Sequence, residues 1–218
     1  MIIRFGNEYV QKQLLHQLSN LFLIDCVEKD LIDKYFDLVI ERVDKCFSAS
    51  KNKYYKKKTE NGVETFFDPI HSCQWFIFLY YYANTVYKSE GDNPLAKKLC
   101  DEIYSLSKMV SGADLFYEVE MPDEFMCDHP VGTVIGRANY KNGFTFSQGN
   151  TVGNNHGIYP TIGKNVVMLS NSKILGNCNI GDNVVVAANT YIKDEDIPDN
   201  SIVFGVSPNL IIKENKYI

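Results

Sequence analysis

The side chains able to move protons or bind metals near neutral pH are few: four histidines and six cysteines among 218 residues. Cys26, Cys46, Cys73, Cys100, Cys127 and Cys178 are scattered and form no Cys-x-x-Cys pair, so a redox motif and a zinc ribbon are both missing. Reduced thiols in a cytoplasmic chain are the expectation. His16 lies among leucines and His71 precedes an aromatic run, and both read as structural. His129 and His156 remain. An imidazole can take the proton of a hydroxyl near neutral pH and turn that hydroxyl into a nucleophile. Such a base needs a carboxylate that fixes its tautomer and stabilises the imidazolium. Asp128 is adjacent to His129, and Glu120 is nearby. A catalytic zinc site needs three histidines or equivalent ligands, and His129 and His156 supply only two, so no metal is expected.

The elements around these histidines follow a six-residue period. Ile162, Met168, Ile174, Ile180, Val186 and Ile192 recur every sixth position. Four residues after each of the first five stands a small or β-branched residue: Val166, Ser172, Cys178, Val184 and Thr190. A period of six fits no α-helix, whose turn is 3.6 residues. It fits a parallel β-helix, in which each hexad supplies one short strand and one corner. Gly, Asn and Asp crowd the turns because they tolerate left-handed backbone angles. Between Val152 and Ile162 the spacing is ten residues instead of six. About four residues within 153–161 must therefore bulge from the coil as a loop, and His156 is in that loop.

Upstream the pattern is helical. Val10, Leu14, Leu18, Leu21 and Phe22 form one stripe, and Leu31, Ile32, Tyr35, Phe36, Val39, Ile40, Val43 and Phe47 form another. A third helix is predicted over about 69–88, and a fourth starts at Asp92-Asn93-Pro94. The basic stretch Lys51–Lys58 reads as a solvated loop. Residues 1–118 hold 20 of 28 aromatics but only 4 of 14 glycines, while residues 119–218 hold fourteen asparagines. The expectation is an α+β chain: an all-helical domain at 1–117, a β-helix at 118–210 and a tail at 211–218.

One stretch of the β-helical half is more specific. Asp128-His129-Pro130-Val131-Gly132-Thr133-Val134-Ile135-Gly136 resembles the Asp-His-x-x-Gly-x-x-x-Gly motif of serine O-acetyltransferases. The resemblance continues through Gly143–Gly153, Pro160–Gly163, Lys173–Asn177 and Ile180–Asn183 to Gly205-Val206-Ser207-Pro208. In the helical half only Asp68-Pro69 and His71-x-x-Gln74 match. The family implies a left-handed β-helix after a helical domain, and acetyl transfer from acetyl-CoA to a serine hydroxyl. By resemblance His129 is the general base, with Asp128 or Glu120 behind it, and His156 is the family's second histidine. Asp68, Asp128, His156 and Tyr159 would hold the acceptor. Turns around Gly153, Ser170, Asn171, Ala187, Ala188 and Lys193 would hold the donor. The family also implies homotrimers or a dimer of trimers. A terminal isoleucine, here Ile218, would dock on the next enzyme, cysteine synthase. Tyr159 stands directly before Pro160, where the family has histidine, and the family's preceding arginine is missing. An O- or N-acetyltransferase acting on a sugar or nucleotide-sugar in surface polysaccharide synthesis is therefore the alternative.

Composition excludes other classes. The net charge is −5 (22 basic, 27 acidic), which disfavours nucleic acid as a partner. The longest apolar run, Trp75–Ala83, has nine residues, too few to span a bilayer. The first ten residues lack the apolar core of a signal peptide. An inactive β-helix acting as an assembly partner is the remaining competitor, separable by His129→Ala.

Overall fold

The computed structural model describes residues 1–60 and 62–216. The chain divides into two compact units, Met1–Ser111 and Gly112–Ile218.

The first unit opens with β1 (Ile2–Ile3), followed by α1 (Gly6–Leu21) and α2 (Cys26–Ala49). A capping box starts α2: the Asp25 carboxylate accepts the Glu28 amide at 3.1 Å, and the Glu28 carboxylate accepts the Asp25 amide at 2.9 Å. Next come β2 (Lys56–Thr59), β3 (Gly62–Phe67), α3 (Ser72–Glu90) and α4 (Pro94–Ser111). Every residue of α3 from Cys73 to Val86 is buried, so the aromatic run is the core of this unit. Trp75 stacks on Phe78 at 4.8 Å between ring centroids, and Phe67 meets Phe78 at 5.5 Å. Each such buried ring contributes roughly 2 kcal/mol.

This half contains a small sheet as well as helices, which corrects the all-helical expectation. The lysine stretch is not a loop throughout, because Lys56–Thr59 pairs antiparallel with β3, to which β1 adds in parallel. Tyr55 and Phe67 are buried, and both pack edge-on against Phe47, at 4.8 and 5.7 Å. That anchoring holds the hairpin against the helices. The lysines then occupy an edge strand, where charge discourages further pairing.

The second unit is a parallel β-helix of five coils. The first carries β4 (Asp114–Leu115) and β5 (Phe125–Asp128), and the second β6 (Val134–Ile135), β7 (Asn139–Tyr140) and β8 (Phe144–Ser147). The third carries β9 (Thr151–Gly153), β10 (Thr161–Ile162) and β11 (Val167–Met168). The fourth carries β12 (Lys173–Leu175), β13 (Asn179–Ile180) and β14 (Val185–Val186). The fifth carries β15 (Tyr191–Lys193) and β16 (Ser201–Val206). Strands β4, β6, β9, β12 and β15 line one face, β7, β10 and β13 a second, and β5, β8, β11, β14 and part of β16 a third. The first coil begins at Asp114, upstream of residue 118. Residues 211–214 are not a loose tail, because β17 (Asn209–Glu214) folds back antiparallel on β16. Ile218 lies outside the described residues.

The hexad residues point inward: Ile162, Met168, Ile174, Ile180, Val186 and Ile192 are all buried. Lys173 pairs with Tyr191, eighteen residues on, which is one coil of three hexads. Thr151 pairs with Lys173, twenty-two residues on, so the third coil holds four extra residues, as the spacing predicts. Asn165, Asn183 and Asn200, each at positive φ, form a corner ladder through side-chain bonds of 3.0 and 2.8 Å. The glycine after Ile162 has a different cause. A Cβ on Gly163 would lie 2.5 Å from Gly181 O and 2.7 Å from Asp182 Oδ1, where the coil above closes over it.

Candidate active site

His129 is at the corner between β5 and β6. Cys127 pairs with Phe146 and Ile135 with Val152, so eight positions separate two inward residues where the next coil uses six. The two extra residues widen the corner and leave Asp128, His129, Val131 and Gly132 exposed. The swollen corner is fixed from several sides. Val131 N donates to His129 O at 2.8 Å, Gly132 N to Gly112 O at 2.8 Å, and Gly149 N to Val131 O at 3.0 Å. Thr133 Oγ1 donates to Ser147 O at 2.6 Å. His129 itself has φ 49°, a left-handed conformation costing a non-glycine residue about 1–2 kcal/mol. Strain of this kind persists where the surrounding structure over-determines it. The imidazole is 83% exposed, and its Nε2 is 3.6 Å from Asp128 Oδ1, a charge contact longer than a hydrogen bond.

Asp128 therefore stands beside His129, while Glu120 lies on the stretch between β4 and β5, exposed, one residue before buried Met121. The strand register brings a different carboxylate to the corner. Asp114 pairs with Val134, and its amide donates to Thr133 O at 2.8 Å. Its neighbour Leu115 is buried, so Asp114 is on the outer side of β4, beneath the end of the His129 corner. Asp114 was not among the sequence candidates. The signal was present, because Leu115, Met121 and Cys127 are six apart and extend the hexad spacing down to Leu115, directly after Asp114.

Four donor candidates stack above His129 on the same corner. Asp128 pairs with Ser147, Phe146 with Met168, and Met168 with Val186, which aligns His129 with Gln148, Ser170 and Ala188. Asn171 and Ala187 flank that line. Asn171 Nδ2 donates to Asn189 Oδ1 at 2.8 Å and Asn171 N to Gln148 O at 2.8 Å, so the corner is tied to the coils on either side. Among the described residues no backbone carbonyl accepts the amides of Gln148, Ser170 or Ala188. A column of amides is thus open to an extended ligand with carbonyl groups.

Gly153 and Lys193 are elsewhere. Both pair with Leu175, at the far edge of the face formed by β4, β6, β9, β12 and β15. The inserted loop leaves from that edge. Asn155 and Ile158 exchange amide-to-carbonyl bonds of 3.0 Å around His156 (φ 50°) and Gly157 (φ 80°), a two-residue turn of the primed type. His156 is exposed, and so are Ile158 and Tyr159. One copy of the chain therefore places His129 and His156 at different corners.

Asp68, in the first unit, is already engaged: Oδ2 accepts Arg4 at 2.8 Å and Oδ1 accepts the Ile70 amide at 3.0 Å. Gln74, buried, accepts the Asp68 amide at 2.7 Å and donates to Tyr54 O at 2.8 Å, which explains the His71-x-x-Gln74 spacing as the start of α3. His16 is exposed beside Asn20. Among the described residues no three or more of His, Cys, Asp and Glu cluster as metal ligands, and no helix is long and apolar enough to cross a membrane.

Residues 159–194 match the family model described as bacterial transferase hexapeptide (six repeats). The chain is 30% identical over 121 residues to a serine acetyltransferase of Staphylococcus epidermidis, covering 53% of this chain and 56% of that protein. It is 30% identical over 118 residues to one of Staphylococcus aureus, covering 52% and 54%. The chain thus spans about half the length of the curated relatives it matches. Among solved structures, Neisseria gonorrhoeae serine acetyltransferase superposes with a TM-score of 0.69 at 18% identity, over 96% of this chain and 81% of that one. A serine acetyltransferase in complex with CoA gives 0.67 at 15% identity, over 95% and 84%.

Proposed function

We propose that this chain is an acetyl-CoA-dependent O-acetyltransferase of the serine acetyltransferase type. The observation that carries the reading is the Asp-His corner with a column of open amides in register above it. His129 takes the proton of the acceptor hydroxyl. The oxygen attacks the thioester carbonyl, the C–S bond breaks, and the CoA thiolate leaves with the proton from the imidazolium. Asp114, next to the corner by register, stabilises the imidazolium, and Asp128 faces the acceptor. The amides of Gln148, Ser170 and Ala188 bind the carbonyls of the donor's arm, so the donor is held by local contacts and needs no basic field. In a threefold assembly the His129 corner of one copy meets the His156 edge of the next, completing the site with Gly153, Lys193 and Tyr159.

One observation favours a sugar or nucleotide-sugar acceptor as the second reading: residues 154–160 contain no basic residue but histidine and expose Ile158 and Tyr159. The test is release of free thiol from acetyl-CoA with a panel of acceptors. Turnover of L-serine is expected. Turnover of sugars without serine establishes the alternative, and no transfer to any hydroxyl overturns both.

A further inference from the structure

The loop carrying His156 is fastened to the coil by a contact outside the machinery assigned above. Asn155 Nδ2 donates to Asp194 Oδ2 at 2.6 Å, a charge-assisted bond. The other oxygen, Asp194 Oδ1, accepts the Asn177 amide at 2.8 Å, and Asp194 N donates to Leu175 O at 3.1 Å. Asp194 is therefore a fixed post on the fifth coil. Gly176 lies between the partners, on the fourth coil. A Cβ there would be 2.1 Å from Asp194 Oδ1 and 2.6 Å from Asn155 Cβ. The bridge thus runs from the third coil to the fifth, across a glycine that leaves room for it. On the other side of Asn155 begins the His156-Gly157 turn. Within the turn the only further tie from a side chain, among the described residues, is Asn154 Oδ1 accepting the Gly157 amide at 3.3 Å. Hexad packing does not require Asn155 or Asp194, since neither is an inward residue.

We propose that Asn155 and Asp194 are positioning residues that hold the His156 turn in its working geometry. The kinetic consequence rests on the acyltransferase reading above, whereas the latch can be measured without it. The experiment uses the full chain with Asn155→Ala, Asp194→Ala, and the exchanged pair Asn155→Asp with Asp194→Asn, which restores one donor and one acceptor with their roles reversed. Each alanine variant is expected to lower kcat/KM for the acceptor on the order of tenfold, with the melting temperature and the KM for acetyl-CoA unchanged. The exchanged pair is expected to recover most of that loss. Amide hydrogen exchange at Gly157 and Ile158 should quicken in the alanine variants and return in the exchanged pair. Unchanged exchange in the alanine variants, an unchanged acceptor kcat/KM, or an exchanged pair no better than either alanine variant overturns the proposal. If the unaltered chain transfers acetyl to no hydroxyl, the acyltransferase reading falls. Exchange at Gly157 and Ile158 still decides the latch.

Discussion

At the scale of single residues, the corner of His129 separates Asp128 from Glu120, the two carboxylates the sequence offers, and adds a third, Asp114. Asp128 touches the imidazole edge at 3.6 Å, Asp114 adjoins the corner by strand pairing, and Glu120 lies on an earlier stretch of the first coil. Removing a general base costs about 10²–10⁴-fold. His129→Ala should therefore lower kcat by that factor while leaving the circular dichroism spectrum unchanged. A carboxylate that fixes the imidazole acts on kcat, whereas one that binds the acceptor acts mainly on KM. Asp114→Asn is expected to lower kcat, Asp128→Asn to raise the acceptor KM, and Glu120→Gln to do neither. Steady-state kinetics of the four variants check this assignment. A kcat loss confined to Glu120→Gln would show that the register argument picks the wrong carboxylate.

At the scale of elements, buried charge joins two of the helices. Glu28, fully buried in the first turn of α2, pairs with Lys98 of α4, and Lys98 also reaches Glu102 at 3.0 Å. Burial pushes the Glu102 carboxyl up, Lys98 opposes that, and Glu28 adds to the rise. Folding therefore shifts the Glu102 equilibrium toward the protonated form. A carboxyl raised in this way contributes stability that is complete below its unfolded value, near 4.5, and is lost as pH climbs through the folded value. Thermal melts across that range should show a fall that Glu102→Gln flattens, and a parallel fall in both proteins would refute the assignment. The elements also show what is legible in sequence. The hexads were readable because each inward residue is decided locally, by a period that no helix shares. The four-residue loop was readable as an interruption of that period. The hairpin over Lys56–Phe67 was not, because it depends on Tyr55 and Phe67 packing against Phe47, and its lysines carry no strand signal of their own. Asp114 was missed because the strand carrying it is two residues long, and only its pairing with Val134 places it at the corner.

At the scale of the whole molecule, the positions of the two histidines decide how many copies of the chain make one site. His129 and the open amides of Ser170 and Ala188 lie along one edge of a β-helix face, while His156, Gly153 and Lys193 lie along the other. Both histidines can serve one reaction if those two edges come from neighbouring copies in a closed ring. Copies bearing His129→Ala and copies bearing His156→Ala then fail for complementary reasons. In a random trimer of equal parts, a seam is intact when a copy that keeps His129 stands before a copy that keeps His156, which happens at about one seam in four. Co-expression of the two variants with different tags, followed by tandem purification of the mixed oligomers, removes the trimers made of one variant and leaves one intact seam in every three, so it should recover on the order of a third of the full activity, with each variant alone near zero. If the site lay within one chain, every seam of the mixture would keep a damaged histidine and no activity would return. Full activity of His156→Ala on its own would remove His156 from the chemistry and leave the His129 edge sufficient.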